Sequence, residues 1–91
     1  SRQTAKEMAD HLRRRAGTDM ALSITGIAGP SGGTKEKPVG RIYIGVSRST
    51  GTRVWEKNLS GDRALIRSQS VHWALDYLRR ELVENRVSES S

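Results

Sequence analysis

From Val39 to Arg48 the side chains alternate: Ile42, Ile44 and Val46 face one way, and Arg41, Tyr43, Gly45 and Ser47 face the other. A period of two is the mark of a strand. Ser49-Thr50-Gly51 reads as a turn, and Thr52 to Leu59 reads as a second strand with Arg53, Trp55, Lys57 and Leu59 on one face. A connection this tight joins antiparallel neighbours only. The middle of the chain is therefore a hairpin.

The flanking segments have the other period. Ala5, Met8, Ala9, Leu12 and Ala16 fall at i, i+3, i+4, i+7 and i+11 and predict an amphipathic helix over 2–16. Ser1 is placed to cap it and Gly17 to stop it. Arg13, Arg14 and Arg15 sit in its last turn, where they complement the helix dipole as a solvated end. A second helix starts after Ser60-Gly61-Asp62, with Ser60 or Asp62 as N-cap, and runs to about Glu84. Its stripe of Val71, Ala74, Leu75, Leu78 and Leu82 is expected to be core, with Asn85 as the stop. Met20 to Thr25 is a short apolar run and reads as a buried strand. The order helix, strand, loop, hairpin, helix predicts an α/β chain with a mixed sheet and helices packed on it. Residues 1–85 form the ordered unit of this reading, and residues 86–91 a polar, disordered tail.

Composition bounds the function. The chain has 91 residues, no Cys, and only 34% hydrophobic residues. Disulfides, thiolate metal sites and cysteine nucleophiles are excluded. No run approaches a membrane span and no signal-peptide pattern opens the chain, so a cytoplasmic protein is expected. The core is lean for a free-standing unit, and the chain opens inside a helical pattern without a start Met. Both lead us to expect upstream chain, with a bare part of the second helix inviting a partner. Residues 35–67 carry eight basic and three acidic side chains, against three and four over 68–91. An anionic ligand, a nucleic acid or a solvated surface each accounts for that asymmetry. Tyr43 and Trp55 alone offer stacking surfaces in the basic segment, which argues against nucleic acid. His11 and His72 have no second ligand nearby in sequence, so no metal is expected.

The segment from Ser23 to Gly40 holds five of the nine glycines, Gly26, Gly29, Gly32, Gly33 and Gly40, with Thr25, Thr34, Lys35 and Lys37 beside them. Glycine-rich turns leaving a strand present successive backbone N–H groups and form anion-binding nests. The Walker and dinucleotide fingerprints are both absent. The loop leads into a strand, so no helix dipole stands directly behind it.

The full string is more specific. Ser23-Ile24-Thr25-Gly26-Ile27-Ala28-Gly29-Pro30, then Gly32-Gly33-Thr34, then Glu36-Lys37-Pro38-Val39-Gly40, closely resembles the signature of the CinA C-terminal domain family. Gly61-Asp62-Arg63, with Arg67 one turn later, is similar to that family's second landmark. The resemblance runs from Ser1 to about Leu82. It implies part of a three-layer α/β/α sandwich around a mixed sheet, usually a homodimer. It also implies an amidohydrolase that converts nicotinamide mononucleotide to nicotinic acid mononucleotide and ammonia, without a cofactor. The family's Ala-Glu-Ser-Cys-Thr-Gly-Gly and Tyr-Ser-Asn-x-x-Lys segments, which hold the nucleophile and its helpers, are absent from these residues. No catalytic residue is therefore assigned: Ser23, Ser31, Ser47 and Ser60 have no His partner at a recognisable spacing. By resemblance, Thr25, Gly26, Gly29, Gly32, Gly33, Thr34 and Arg63 bind substrate, and the 91 residues alone are expected to be inactive. The alternative is an inactive module that binds a nucleotide or a protein. Expected partners are the nucleotide and either a second copy or the missing N-terminal part of the domain.

Overall fold

The computed structural model of the chain describes residues 1–26 and 39–90, without the side chains of residues 39 and 85–90. The elements are α1 (Arg2–Ala16), β1 (Met20–Thr25), β2 (Val39–Arg48), β3 (Gly51–Ser60) and α2 (Arg63–Ser90). Every expected element is present. The second hairpin strand extends one residue further at each end than its alternation suggested.

Local chemistry sets the boundaries. Ser1 Oγ accepts the Thr4 N–H at 3.1 Å and caps α1. Gly17 takes φ 65°, a left-handed conformation that ends the helix. The N–H groups of Gly17 and Thr18 both turn back to the Arg13 carbonyl. At α2 the cap is Asp62 rather than Ser60: its Oδ1 accepts the Leu65 N–H at 2.7 Å. Asn85 does not stop α2, whose backbone is helical through Ser90. Nothing between Glu84 and Ser90 is Gly or Pro, and an Asn without a left-handed turn is an ordinary helical residue. Of the expected tail, only Ser91 lies outside the described residues.

The strands lie in the order β1-β2-β3 and pair antiparallel throughout the described residues. A mixed sheet needs a parallel neighbour, and none is among them. Ile44 stands between Ile24 on β1 and Trp55 on β3, and Gly45 between Ser23 and Val54. These pairings define two faces. α2 covers the Ile44 face, where Ile42, Ile44, Leu59, Ile66, Ala74 and Tyr77 form the core, with Leu22, Ile24, Trp55 and Trp73 packed around it. Burial of Ile42, Ile44 and Ile66, all fully enclosed, stabilises the fold by about 2 kcal/mol each. The Trp55 and Tyr77 rings stack at 4.3 Å, and the Lys57 ammonium sits 3.9 Å from the centre of the Trp73 ring.

α1 covers the opposite face, where the alternation placed Gly45 and Ser47, and both are buried beneath it. Small residues permit this close approach. Ser23 Oγ donates to the Ala5 carbonyl at 2.8 Å, and a Cβ at Gly45 would lie 2.8 Å from that same carbonyl oxygen. The helices thus make two outer layers around the sheet, the α/β/α arrangement.

Two apolar stripes do not sit where their periodicity placed them. On α2 the sheet-facing residues are Ile66, Ser70, Ala74, Tyr77 and Glu81, while Val71, Leu75 and Leu82 are about half exposed. On α1 Ala5 and Ala9 are buried, whereas Met8 and Leu12 are exposed. The buried polar residues on α2 are satisfied there: Ser70 Oγ donates to the Ile66 carbonyl at 2.7 Å, and the Glu81 carboxylate is paired with Arg48 and Arg53. Polar residues satisfied in this way can occupy the inner face. Arg13 is not merely a solvated helix end either, because its Nε donates to Ser47 Oγ at 3.0 Å. No described helix is long and apolar enough to cross a membrane.

Candidate functional site

One end of the sheet gathers the residues that the glycine-rich string singled out. β1 finishes there at Thr25, β2 enters through Val39 and Gly40, and β3 leaves through Leu59 and Ser60, where Gly40 pairs with Leu59. The turn Gly61-Asp62 then starts α2 with Arg63 at its first position. The loop's two attachment points and the N-terminus of α2 therefore share one end of the fold. The sequence showed no helix directly behind the loop, because α2 reaches this end only through the hairpin.

Thr25, Gly26 and Arg63 can be placed. Gly29, Gly32, Gly33 and Thr34 lie outside the described residues. Gly26 has φ 76°, and a Cβ there would come within 2.8 Å of the Arg41 carbonyl oxygen. Both the dihedral and the contact require glycine at the exit from β1. Thr25 Oγ1 is buried and, among the described residues, makes no hydrogen bond. Leaving a hydroxyl in that state costs about 1–3 kcal/mol.

Arg63 lines an open concavity of about 540 Å³ with Ala64, Arg67, Ser68 and Val71. The Ser68 and Val71 contributions were not legible as site residues in the sequence; their i, i+4 and i, i+7 spacing from Ala64 was the available signal. Among the described residues, Arg63 and Arg67 have no carboxylate partner. Other arginines nearby are engaged: Arg41 Nε lies 3.2 Å from Glu56 Oε1 and 3.3 Å from Asn58 Oδ1. The Tyr43 hydroxyl donates to the same Glu56 oxygen at 3.2 Å. On the next turns of α2, Arg79 and Arg80 both hold Asp76, and the Arg79 hydrogen bond foremost keeps that carboxyl below its ordinary pKa. The site end therefore carries two guanidinium groups one helical turn apart that are uncommitted among the described residues, suited to phosphate or carboxylate.

His11 and His72 stand on different helices, and no cluster of three His, Cys, Asp or Glu side chains that could hold a metal occurs among the described residues. His72 packs edge-on to Trp73 at 6.1 Å. Of the four available serines, Ser23 and Ser47 are buried under α1 and bonded to it, Ser60 is exposed, and Ser31 lies outside the described residues. The profile of the CinA C-terminal domain matches residues 1–82. The chain belongs to the CinA C-terminal domain family. It is 52% identical to a competence-damage inducible protein of Thermoanaerobacter pseudethanolicus over 96% of its length, which is 21% of that relative. It is also 52% identical to a CinA-like protein of Kosmotoga olearia, over 91% of this chain and 20% of the other. The chain thus spans about a fifth of the length of these curated relatives. Crystal structures agree on the fold. A competence or damage-inducible protein from Enterobacter asburiae superposes with a TM-score of 0.78 at 32% identity, covering 90% of this chain and 52% of that one. A CinA superfamily protein from Escherichia coli gives 0.74 at 29%, covering 86% and 45%.

Proposed function

We propose that this chain is the substrate-binding part of a CinA-type amidohydrolase that converts nicotinamide mononucleotide to nicotinic acid mononucleotide and ammonia. The observation that carries the reading is the pair Arg63 and Arg67, unpartnered among the described residues, at the end of the sheet from which the glycine-rich segment departs. Two guanidiniums one turn apart suit the phosphate of a mononucleotide. The N-terminus of α2 adds the positive end of its dipole. The buried Thr25 hydroxyl makes no hydrogen bond among the described residues, and a nucleotide supplies acceptors. Backbone N–H groups of the glycine string would orient the amide and stabilise a tetrahedral oxyanion.

The chemistry itself is not assigned to these residues. No catalytic residue is assigned here, and the reading takes the nucleophile from elsewhere in an intact domain. The 91 residues alone are accordingly proposed to bind and not to turn over. A homodimer and a cytoplasmic location belong to the same proposal.

Ammonia release from nicotinamide mononucleotide by an intact CinA domain that includes this chain is the direct test. Saturable nucleotide binding without ammonia would instead support an inactive binding module. Neither binding nor turnover would remove the nucleotide reading altogether.

A further inference from the structure

Side chains tie all three strands together where β1 ends. On the face that α1 covers, Ser23, Gly45 and Val54 form one row, and Thr25, Tyr43 and Glu56 form the next toward the site end. α1 begins over the first of these rows: Ser23 Oγ donates to the Ala5 carbonyl, and Arg2 Nη1 donates to the Val54 carbonyl at 3.0 Å. The second row is held by its own side chains. The Tyr43 hydroxyl donates to Glu56 Oε1, and Arg41 Nε lies at 3.2 Å from that oxygen and 3.3 Å from Asn58 Oδ1. A hydrogen bond to a charged carboxylate is stronger than a neutral one, and here it fixes the ring at its far end.

Thr25 and Gly26 lie against that ring. Thr25 is the direct cross-strand partner of Tyr43, and opposed residues of an antiparallel pair hold their Cβ atoms about 5 Å apart on one face. A Cβ at Gly26 would lie 3.8 Å from Tyr43 Cδ2 and 2.8 Å from the Arg41 carbonyl oxygen, and the backbone turns there with φ 76°. Among the described residues, no β1–β2 pair follows Thr25. Side-chain contacts, rather than further ladder hydrogen bonds, therefore set the direction in which the chain leaves β1. Arg41 serves both contacts, with its carbonyl at Gly26 and its side chain at Glu56. Tyr43, which the sequence offered only as a stacking surface, is thus a strut between the end of β1 and a charged anchor on β3.

We propose that Tyr43 is a positioning residue of the nucleotide site: its ring, tethered to Glu56, holds the Thr25 hydroxyl where it meets substrate. The inference rests on the nucleotide reading above and adds a residue to it. Tyr43 itself touches no substrate in this scheme. It acts through Thr25, whose buried Oγ1 makes no hydrogen bond among the described residues. A tyrosine ring suits the task, because with two side-chain torsions it gives a large, rigid contact at little cost in conformational freedom. Moving a substrate-binding group by about 1 Å is enough to lower a rate by up to about 100-fold. A strut behind the hydroxyl therefore has a measurable effect.

A double-substitution cycle in the intact domain tests the proposal, read as kcat/KM for ammonia release from nicotinamide mononucleotide. Thr25→Val and Tyr43→Leu are each expected to lower kcat/KM about tenfold. Together they are expected to lower it only about 10–20-fold, because without the hydroxyl the ring has nothing to position. Tyr43→Phe keeps the ring and loses the Glu56 bond, for an expected loss of about threefold, and it carries the same cycle if Tyr43→Leu does not fold. A combined loss equal to the product of the single losses, about 100-fold, would show that Tyr43 acts independently of Thr25 and overturn the proposal. Parent kcat/KM in Tyr43→Leu would overturn it as well. A measurement without substrate separates this inference from the nucleotide reading. In Tyr43→Leu the amide order parameter of Gly26 is expected to fall below about 0.6 while that of Ile44 stays near about 0.85. An unchanged Gly26 value overturns the strut whether or not the parent domain is active. A parent domain that neither binds nor turns over the nucleotide removes the nucleotide reading instead, and the Gly26 value then decides the strut alone.

Discussion

Glu81 on α2 is almost fully buried, and its Oε1 accepts a 2.9 Å hydrogen bond from Arg53 Nη1 on β3. Arg48 Nη2 on β2 lies 3.2 Å from the other carboxylate oxygen, an ion pair without hydrogen-bond alignment. One carboxylate thereby ties the far end of α2 to both hairpin strands.

The two sides of that pair are not equivalent. Arg53 is about half exposed and regains water when Glu81 is removed, whereas Glu81 does not when the arginines are removed. Glu81→Ala is expected to cost about 1–2 kcal/mol. Replacing both Arg48 and Arg53 by Ala is expected to cost about 3–5 kcal/mol, because an uncompensated charge is left inside. Urea unfolding of the three proteins measures the difference, and an equal cost for both would contradict it.

Asp10 fastens α1 in a similar way. Its carboxylate accepts hydrogen bonds from Lys6 at 2.7 Å, from Thr52 and from Ser47. The Lys6 bond first, then those of Thr52 and Ser47, hold the Asp10 carboxyl well below the usual carboxylate range. A lowered folded pKa means that the charged form is the stabilising one. Its contribution is complete above the unfolded value of about 3.9 and fades as pH falls toward the lowered value. Asp10→Ala is expected to cost about 2 kcal/mol at neutral pH, with the deficit shrinking below about pH 4. Parallel denaturant titrations at neutral and acidic pH, read as the difference between variant and parent, decide the point.

Glycine positions separate two kinds of backbone requirement. Gly17→Ala meets no atom within 4 Å and suffers only its φ of 65°, for about 1–2 kcal/mol. Gly45→Ala would push a Cβ to 2.8 Å from the Ala5 carbonyl oxygen and the Ser23 hydroxyl, lifting α1 from the sheet. The expected order of melting temperatures is parent, Gly17→Ala, Gly45→Ala, with hydrogen exchange in α1 accelerated in the last alone.

For the proposed activity, Arg63→Ala in the intact domain is expected to raise KM about tenfold and leave kcat within about twofold. That split is the signature of lost ground-state binding, and tenfold is about the worth of one charge-assisted hydrogen bond. Steady-state ammonia release measures both constants, and an unchanged KM would free Arg63 of a substrate role.

The chain order of periodicities determined a good deal on its own. Alternation at Ile42, Ile44 and Val46, the capping chemistry of Ser1, Gly17 and Asp62, and the helical spacing of Ala5 and Ala9 are local facts, written in neighbouring residues. So was the family, because the string from Ser23 to Gly40 is long and unusual. What only tertiary structure decided is which side of each helix turns inward. Val71, Leu75 and Leu82 have the right spacing for a core and yet are about half exposed here, while Ser70 and Glu81 are buried on the neighbouring face with their partners. Periodicity fixes that a stripe exists, whereas burial depends on partners that are distant in sequence, such as Arg53 and Arg48 for Glu81. The meeting of Arg63 with the exit of β1 at Gly26 is likewise a product of the hairpin between them, which carries the chain out along β2 and back along β3 to the same end of the sheet.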